Sequence, residues 1–169
     1  MNDRRDEIHV VAVCTGNICR SPMAEGILSR MPGTFPHVKA SSAGTYALDG
    51  YPPSEFSVIA CRERGIDISG HRAKRLEEGI IGGSDIIICM EPVHAEMVLS
   101  LDASAAGKIY NLADFSGGRL KKIADPYGCS LREYRQCFRD ILDCIGEFLE
   151  AKCLSGGFCC EKRFPLSAL

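Results

Sequence analysis

A cysteine and an arginine stand at the two ends of a short loop early in the chain, Cys14 and Arg20, and Ser21 follows the arginine. The small residues between them let the backbone curl until successive N–H groups point at one centre, which is the shape of an anion site. The guanidinium of Arg20 can donate two hydrogen bonds to a tetrahedral oxyanion, and the same donors favour the thiolate of Cys14 over its thiol. We therefore predict a phosphate-binding loop in which Cys14 is a nucleophile, while Ser21 hydrogen-bonds the sulfur and caps the following helix.

Two elements must flank this loop to position it. Ile8 to Val13 is a nearly continuous run of apolar, mostly β-branched residues, which predicts a strand buried on both faces. From Pro22, which suits the first helical position, apolar residues recur at helical spacing until Pro32 and Gly33 end the pattern. The loop therefore lies at the carboxyl end of a strand, where ligands bind in open parallel sheets, and its amides gain from the helix dipole.

The rest of the chain alternates strands and helices. Further strands are predicted at Val38 to Ala43, Ile86 to Met90 and Lys108 to Leu112, and helices at Ser54 to Arg64, Val93 to Leu101 and Leu131 to Leu149. This order predicts a single α/β domain with a four-stranded parallel sheet and helices on both faces. We place the domain at residues 1–150 and expect residues 151–169, where the apolar stripe stops, to be a tail of uncertain order.

Composition narrows the functional class. With 169 residues, 46% hydrophobic and 25% charged, the chain matches one globular domain. Its formal net charge of −2 provides no basic field for nucleic acid, and its longest apolar run is too short to cross a membrane. Ten cysteines are too sparse for a disulfide scaffold and the first residues lack a secretory signal, so we expect a cytoplasmic protein. The cysteines near the end, Cys153, Cys159 and Cys160, lack the paired spacing of a zinc site.

Several motifs together resemble those of the low-molecular-weight protein tyrosine phosphatases over roughly residues 8 to 150. The phosphate loop matches in VCTGNICRSPMAE, and a second specific motif is DPYG at Asp125 to Gly128. Weaker matches are SSAGT at Ser41 to Thr45, GIDISGHRAKRL at Gly65 to Leu76 and IIICM at Ile86 to Met90. The resemblance implies a flavodoxin-like fold and hydrolysis of phosphotyrosine, or of other aryl phosphate monoesters, through a cysteinyl-phosphate intermediate.

The resemblance also implies the catalytic roles. Cys14 is expected to be the nucleophile, Arg20 the phosphate clamp and Asp125 the general acid that later activates water. DPYG lies between the fourth predicted strand and the last helix, on the same rim as the Cys14 loop. The loop amides and Arg20 already hold the equatorial oxygens, so no metal or other cofactor is expected.

A second group of residues is implied to support the loop or to touch the substrate. Asn17, hydrogen-bonded to Ser42 and His71, is expected to hold the loop in a strained shape, and Ser21 to support the thiolate. The predicted substrate contacts are Thr15, Gly16, Asn17, Ile18, Cys19, Arg20, Ser21 and Tyr127.

Two side chains bear on substrate choice. Ile18 supplies an apolar wall, and Tyr127 supplies a ring that could line a slot for a flat phenyl group. The alternative is a protein arginine phosphatase, whose members resemble this chain but typically carry a Thr at the position of Ile18. The bulk of Ile18 argues against a guanidinium leaving group.

Two other classes are alternatives. A thioredoxin-coupled arsenate reductase resembles this loop but needs two further cysteines; Cys89 lies near one expected position, while Met90 to Leu101 contains no partner. Pro22 also occupies a position where such reductases commonly have Gln. A binding module without turnover would have an incomplete catalytic set, whereas Cys14, Arg20 and Asp125 are all present.

Redox control is a further implication of the resemblance, since Cys19 is expected to form a disulfide with Cys14 under oxidation. The expected partner is a phosphotyrosine-containing protein or a small aryl phosphate, bound by a monomer or weak dimer.

Overall fold

The computed structural model describes residues 7–30 and 38–154. The strands are β1 (Ile8–Cys14), β2 (Val38–Gly44), β3 (Ile86–Cys89) and β4 (Ile109–Asn111). The helices are α1 (Arg20–Ser29), α2 (Glu55–Arg62), α3 (Glu78–Gly82), α4 (Pro92–Leu101) and α5 (Leu131–Leu154), with two 3-10 turns flanking β4.

The strands form one parallel sheet in the order β2-β1-β3-β4. β1 is central, with Ala12 paired to Ser42 of β2 on one side and Val13 paired to Cys89 of β3 on the other. The chain thus moves from β1 outward to β2 and then returns past β1 to β3. Such a reversal opens a crevice at the carboxyl ends of the strands, and Cys14 is the last residue of β1.

Alternate residues of β1 pack into two hydrophobic cores, one on each face of the sheet. Val10, Ala12 and Cys14 point toward the face covered by α1, α2 and α5. Val11 and Val13 point toward the opposite face, where α3 and α4 supply Ile81 and Val98. Because both faces are covered, β1 from Val10 to Cys14 and all of β3 are apolar, which is why these two strands stand out in the sequence.

The fold class predicted from the sequence is confirmed, with differences at the helix ends. α1 begins at Arg20 rather than at Pro22, because the loop already turns into helical geometry after Cys19. α3 was not predicted, since five residues with two glycines carry little helical signal.

The proposed domain boundary at residue 150 falls inside a helix, because α5 continues to Leu154. The remainder of the predicted tail, residues 155–169, lies outside the described residues, and so do Pro32 and Gly33.

Candidate active site

Cys14 ends β1 at the floor of the phosphate loop. Its Sγ lies 2.9 Å from Ser21 Oγ and 3.3 Å from the backbone N of Asn17, which donates to it. The loop carbonyls are tied to the strand beside them, since Thr45 N donates to Cys14 O and Tyr46 N donates to Thr15 O, both at 2.9 Å. The sulfur therefore faces a hydroxyl and a backbone amide at the start of a helix.

Ser21 does not cap α1, contrary to the sequence prediction. The N-cap residue is Cys19, whose side chain makes no hydrogen bond to the first turn of the helix. The Ser21 hydroxyl lies beside the Cys14 sulfur, accepts from Asn17 Nδ2 at 2.8 Å and contacts Ala43 O at 3.4 Å. Its hydrogen-bonding capacity is thus used on the loop and not on the helix end.

Asn17 has a left-handed backbone, with φ of 54°. The amide side chain is fully hydrogen-bonded: Nδ2 donates to Ser21 Oγ and Ser42 Oγ, both at 2.8 Å, and Oδ1 accepts from Lys74 N at 2.8 Å. Asparagine tolerates this conformation better than most residues, and its buried side chain leaves no polar atom unpaired. The strained turn of the loop is therefore fixed by three separate parts of the chain.

His71 and Glu25 extend this support. His71 Nε2 lies 2.9 Å from the carbonyl of Asn17, so the contact is to the main chain and not to the amide side chain. Its Nδ1 lies 3.5 Å from Glu25, which also accepts from Ser42 Oγ at 2.5 Å. Burial alone would raise the pKa of Glu25, but its hydrogen bonds with His71 and Ser42 lower it on balance. An ionised Glu25 thus anchors Ser42 and His71, two of the residues that hold Asn17.

Arg20 is buried and paired with two carboxylates. Nη1 donates to Glu91 Oε1 at 2.5 Å and to Ile123 O at 3.1 Å, and Nη2 donates to Asp125 Oδ2 at 2.7 Å. Nε has no hydrogen-bond partner among the described residues. Burial would lower the pKa of Arg20, but the bond to Glu91 and the nearby charges raise it, so the guanidinium stays charged.

Glu91 is a site residue that the sequence analysis missed. It follows β3 at the same sheet edge as Cys14 and accepts from Lys122 Nζ at 2.7 Å as well as from Arg20. Burial would raise its pKa, but these two cationic partners lower it. Its position one residue after Met90 could have revealed it, because a carboxylate at the end of a central strand lies in the ligand crevice.

A cavity of about 200 Å³ opens above Cys14. It is lined by Cys14, Thr15, Gly16, Ile18, Cys19, Arg20, Asp125 and Tyr127. Tyr127 is 69% exposed, and its backbone N donates to Asp125 Oδ1 at 3.2 Å. The structure thus brings the predicted nucleophile, clamp, acid and aromatic residue to one opening, with Asn17, Ser42 and His71 behind it. A larger cavity of about 430 Å³ between α1 and residues 65–71 contains neither Cys14 nor Arg20.

Cys19 is a free thiol inside this site. Its Sγ donates to Ser54 Oγ at 3.5 Å and lies 3.4 Å from the hydroxyl of Tyr134. Burial raises the pKa of Cys19, against the lowering effect of both hydrogen bonds. The thiol is therefore protonated and held away from solvent.

Within residues 7–30 and 38–154, no three His, Cys, Asp or Glu side chains are grouped to hold a metal ion. None of the helices in this part of the chain combines the length and hydropathy of a membrane span.

Comparisons with known proteins agree with this geometry. The family model for low molecular weight phosphotyrosine protein phosphatase matches residues 9–154. A probable low molecular weight protein-tyrosine-phosphatase EpsP from Ralstonia nicotianae is 34% identical over 142 residues, which is 84% of this chain and 91% of that protein.

Two solved structures have the same fold. The low molecular weight protein tyrosine phosphatase from T. tengcongensis is 38% identical with a TM-score of 0.78, covering 85% of this chain and 99% of that one. The YwlE arginine phosphatase from Geobacillus stearothermophilus is 30% identical with a TM-score of 0.79, covering 88% of this chain and 96% of that one.

Fold, loop and relatives define an α/β phosphatase, a hydrolase of phosphoric monoesters. Because the family model spans most of the chain, the protein belongs to the low molecular weight phosphotyrosine protein phosphatase family. The family and enzyme class predicted from the sequence are confirmed.

Proposed function

We propose that this protein hydrolyses phosphotyrosine and related aryl phosphate monoesters through a cysteinyl-phosphate on Cys14. The observation that carries the proposal is the position of the Cys14 sulfur. It lies at the floor of the cavity, 3.3 Å from the Asn17 amide and 2.9 Å from the Ser21 hydroxyl, with Arg20 and Asp125 in the same opening. The phosphate loop would hold the phosphoryl oxygens while the sulfur attacks from below.

The proposed reaction has two steps. In the first, the Cys14 thiolate forms a bond to phosphorus as the bond to the phenolic oxygen breaks, and protonated Asp125 gives its proton to that oxygen. In the second, ionised Asp125 takes a proton from water, whose oxygen attacks phosphorus and releases Cys14 as the thiolate with inorganic phosphate. Backbone amides and Arg20 hold the transferring group throughout.

Asp125 must leave Arg20 to do this. In the structure its Oδ2 accepts from Arg20 Nη2 at 2.7 Å, and the side chain is 44% exposed. A bound phosphoryl group offers Arg20 stronger acceptors, and the unpaired Nε is available to the same group. We propose that substrate displaces the Asp125 carboxylate, which then faces the leaving group.

An arginine phosphatase activity is the second candidate, supported by the similarity to the Geobacillus stearothermophilus enzyme. Against it, the cavity above the sulfur is lined by the apolar side chain of Ile18 and by Tyr127. A phenyl ring buries apolar surface on both, whereas a guanidinium leaves its N–H donors facing them. We therefore favour an aryl leaving group.

Arsenate reduction is a weaker candidate because Cys89 is unsuited to a redox relay. Cys89 is fully buried in the core, and burial raises the pKa of its thiol to about 12. A thiol of this kind stays protonated and is a poor nucleophile.

The test compares wild-type protein with Cys14→Ser on p-nitrophenyl phosphate, a phosphotyrosine peptide and a phosphoarginine peptide. We expect turnover of the first two by wild type, none by Cys14→Ser, and little on phosphoarginine. Cys61→Ser is the matched control, because Cys61 is a buried core thiol and its replacement should leave kcat unchanged. Preferred turnover of phosphoarginine would contradict the proposed specificity.

A reducing compartment and a phosphoprotein partner fit this proposal. Free thiols, as expected for cytoplasm, are found at seven cysteines: Cys14, Cys19, Cys61, Cys89, Cys129, Cys137 and Cys144. The exposed rim around Tyr127 suits a phosphorylated peptide segment and needs no second protomer.

A further inference from the structure

His94 is a buried histidine whose contacts connect α4 to the phosphate loop. Its side chain is 1% exposed and belongs to the first turn of α4. One ring nitrogen, Nε2, lies 2.9 Å from Thr15 Oγ1, and the other, Nδ1, lies 3.1 Å from the backbone N of Glu91. No sequence pattern singled out His94, because nothing in the chain order shows that it reaches residue 15.

The two contacts decide which ring nitrogen carries the hydrogen. A backbone N–H can only donate, so Nδ1 must be the acceptor from Glu91. In a neutral imidazole the other nitrogen then carries the hydrogen, so Nε2 donates to Thr15 Oγ1. Burial, together with the charge of Arg20, lowers the pKa of His94 to about 4, so the ring is neutral at physiological pH.

This arrangement also decides what the Thr15 hydroxyl can do. With one lone pair occupied by His94, the hydroxyl hydrogen remains for another acceptor, and none lies within hydrogen-bond distance among the described residues. Thr15 is exposed, follows Cys14 directly and lines the cavity above the sulfur. The strongest acceptor that enters this cavity during turnover is a phosphoryl oxygen.

We propose that His94 is a positioning residue that directs the Thr15 hydroxyl to donate a hydrogen bond to the phosphoryl group of the substrate. The proposal rests on the proposed function of the Cys14 loop. His94 touches no reacting atom and acts through Thr15 alone, and the backbone N–H of Glu91 sets the tautomer that makes this possible.

The first experiment measures binding of inorganic phosphate by calorimetry. Thr15→Val removes the hydroxyl at nearly constant shape and should weaken phosphate binding about tenfold, the effect of a hydrogen bond to a charged group. Thr15→Ser should restore it. His9→Gln is the control, because His9 contacts Gly83 and Ser41 at the other end of β1 and should leave phosphate binding unchanged. Equal binding by Thr15→Val and wild type would overturn the proposal.

The second experiment separates positioning from a merely structural role of His94. The Gln side chain places its N–H near the Nε2 position and keeps the bond to Thr15, whereas Asn places its oxygen near Nδ1 and keeps only the bond from Glu91. We expect His94→Gln to bind phosphate like wild type and His94→Asn to lose about tenfold, with no further loss from His94→Asn in a Thr15→Val background. The opposite order of the two variants, or additive losses, would overturn the proposal.

The tautomer has a direct readout. Long-range ¹H–¹⁵N spectra of the wild-type protein at pH 7 should give His94 the pattern of a neutral ring protonated at Nε2; protonation at Nδ1 would contradict the proposal. These outcomes are independent of the proposed function, which fails if wild-type protein does not turn over aryl phosphate, whatever Thr15 does to phosphate affinity.

Discussion

At the scale of single residues, two carboxylates balance the positive charge of Arg20 before a substrate arrives. Arg20 is 1% exposed and faces the carboxylates of Glu91 and Asp125, of which only Asp125 is on the accessible side of the cavity. The Glu91 carboxylate is held by a second ion pair, with Lys122. We therefore expect substrate to replace the Asp125 carboxylate next to Arg20.

Replacing Asp125 should separate binding from catalysis. Asp125→Asn removes the proposed general acid and should lower kcat about 10²- to 10⁴-fold, with the smaller loss for phenols that leave easily. The same change removes an anion that competes for Arg20, so inorganic phosphate should inhibit the variant at lower concentration than it inhibits wild type. Steady-state kinetics with a series of aryl phosphates and phosphate inhibition constants check both expectations.

Two results would contradict this account. Weaker phosphate inhibition in Asp125→Asn would mean that the carboxylate helps to bind the anion. An equal kcat loss for good and poor leaving groups would mean that Asp125 does not protonate the phenolic oxygen.

Glu25 is predicted to stabilise the protein in a pH-dependent way. Its pKa in the folded state is lowered, so its contribution is present above the ordinary carboxyl range and is lost as pH falls through the folded value. Glu25→Gln should lower the free energy of unfolding by about 1 kcal/mol at pH 7 and by progressively less in acid. Urea unfolding at several pH values measures this; Glu147→Gln, an exposed change on α5, is the control. A loss independent of pH would contradict the prediction.

At the scale of elements, Gly44 at the end of β2 lies in close contact with the backbone of the phosphate loop. A Cβ on Gly44 would lie 2.6 Å from Thr15 O and 2.8 Å from Asn17 N, closer than such atoms approach in proteins. The backbone of the loop must shift if this glycine is replaced.

Gly44→Ala should therefore impair the site more than the fold. We expect kcat/KM to fall at least tenfold, because a displacement near 1 Å in catalytic geometry can cost about 10²-fold. Gly107→Ala is the matched control, since a Cβ there meets nothing within 4 Å. Kinetics with p-nitrophenyl phosphate and a thermal unfolding curve for each variant test this, and unchanged kinetics in Gly44→Ala would show that the loop tolerates the shift.

The sequence predicts elements well where one physical signal dominates. β1 and β3 are predicted from their apolar runs, which reflect burial of both faces. The loop is predicted from a cysteine and an arginine that lie between a strand and a helix. Three-dimensional contacts supplied the rest: α3 has no strong periodicity, and the bond between His94 and Thr15 joins residues far apart in the chain. The predicted start of α1 at Pro22 is wrong because the chain enters helical geometry before the proline.

At the scale of the whole molecule, α5 closes one face of the sheet. Phe148 is fully buried and meets Tyr110 and Phe115 edge to face, with ring centroids 5.4 and 5.0 Å away. This cluster joins the last helix to β4 and the turn after it, and none of its three rings lines the Cys14 cavity.

Phe148→Ala should destabilise the fold without altering the chemistry. Removing a buried phenyl ring typically costs about 3–5 kcal/mol of unfolding free energy, and the aromatic contacts add to that loss. Phe56→Ala is the control, because Phe56 is 37% exposed and contacts only Tyr134 edge to face among the ring pairs of the described residues. Urea midpoints measure the two losses, and kcat well below the unfolding transition should match wild type. Equal losses in the two variants would contradict the importance of the cluster.

The phosphate loop is hydrogen-bonded to stretches of the chain that are distant in sequence. Asn17 is bonded to the backbone at Lys74, to the side chain of Ser42 and, through its carbonyl, to His71. We therefore expect catalytic competence to depend on the entire tertiary structure, so that partial unfolding that frees any one of these stretches abolishes turnover. A short peptide carrying the signature alone has no such framework to shape it.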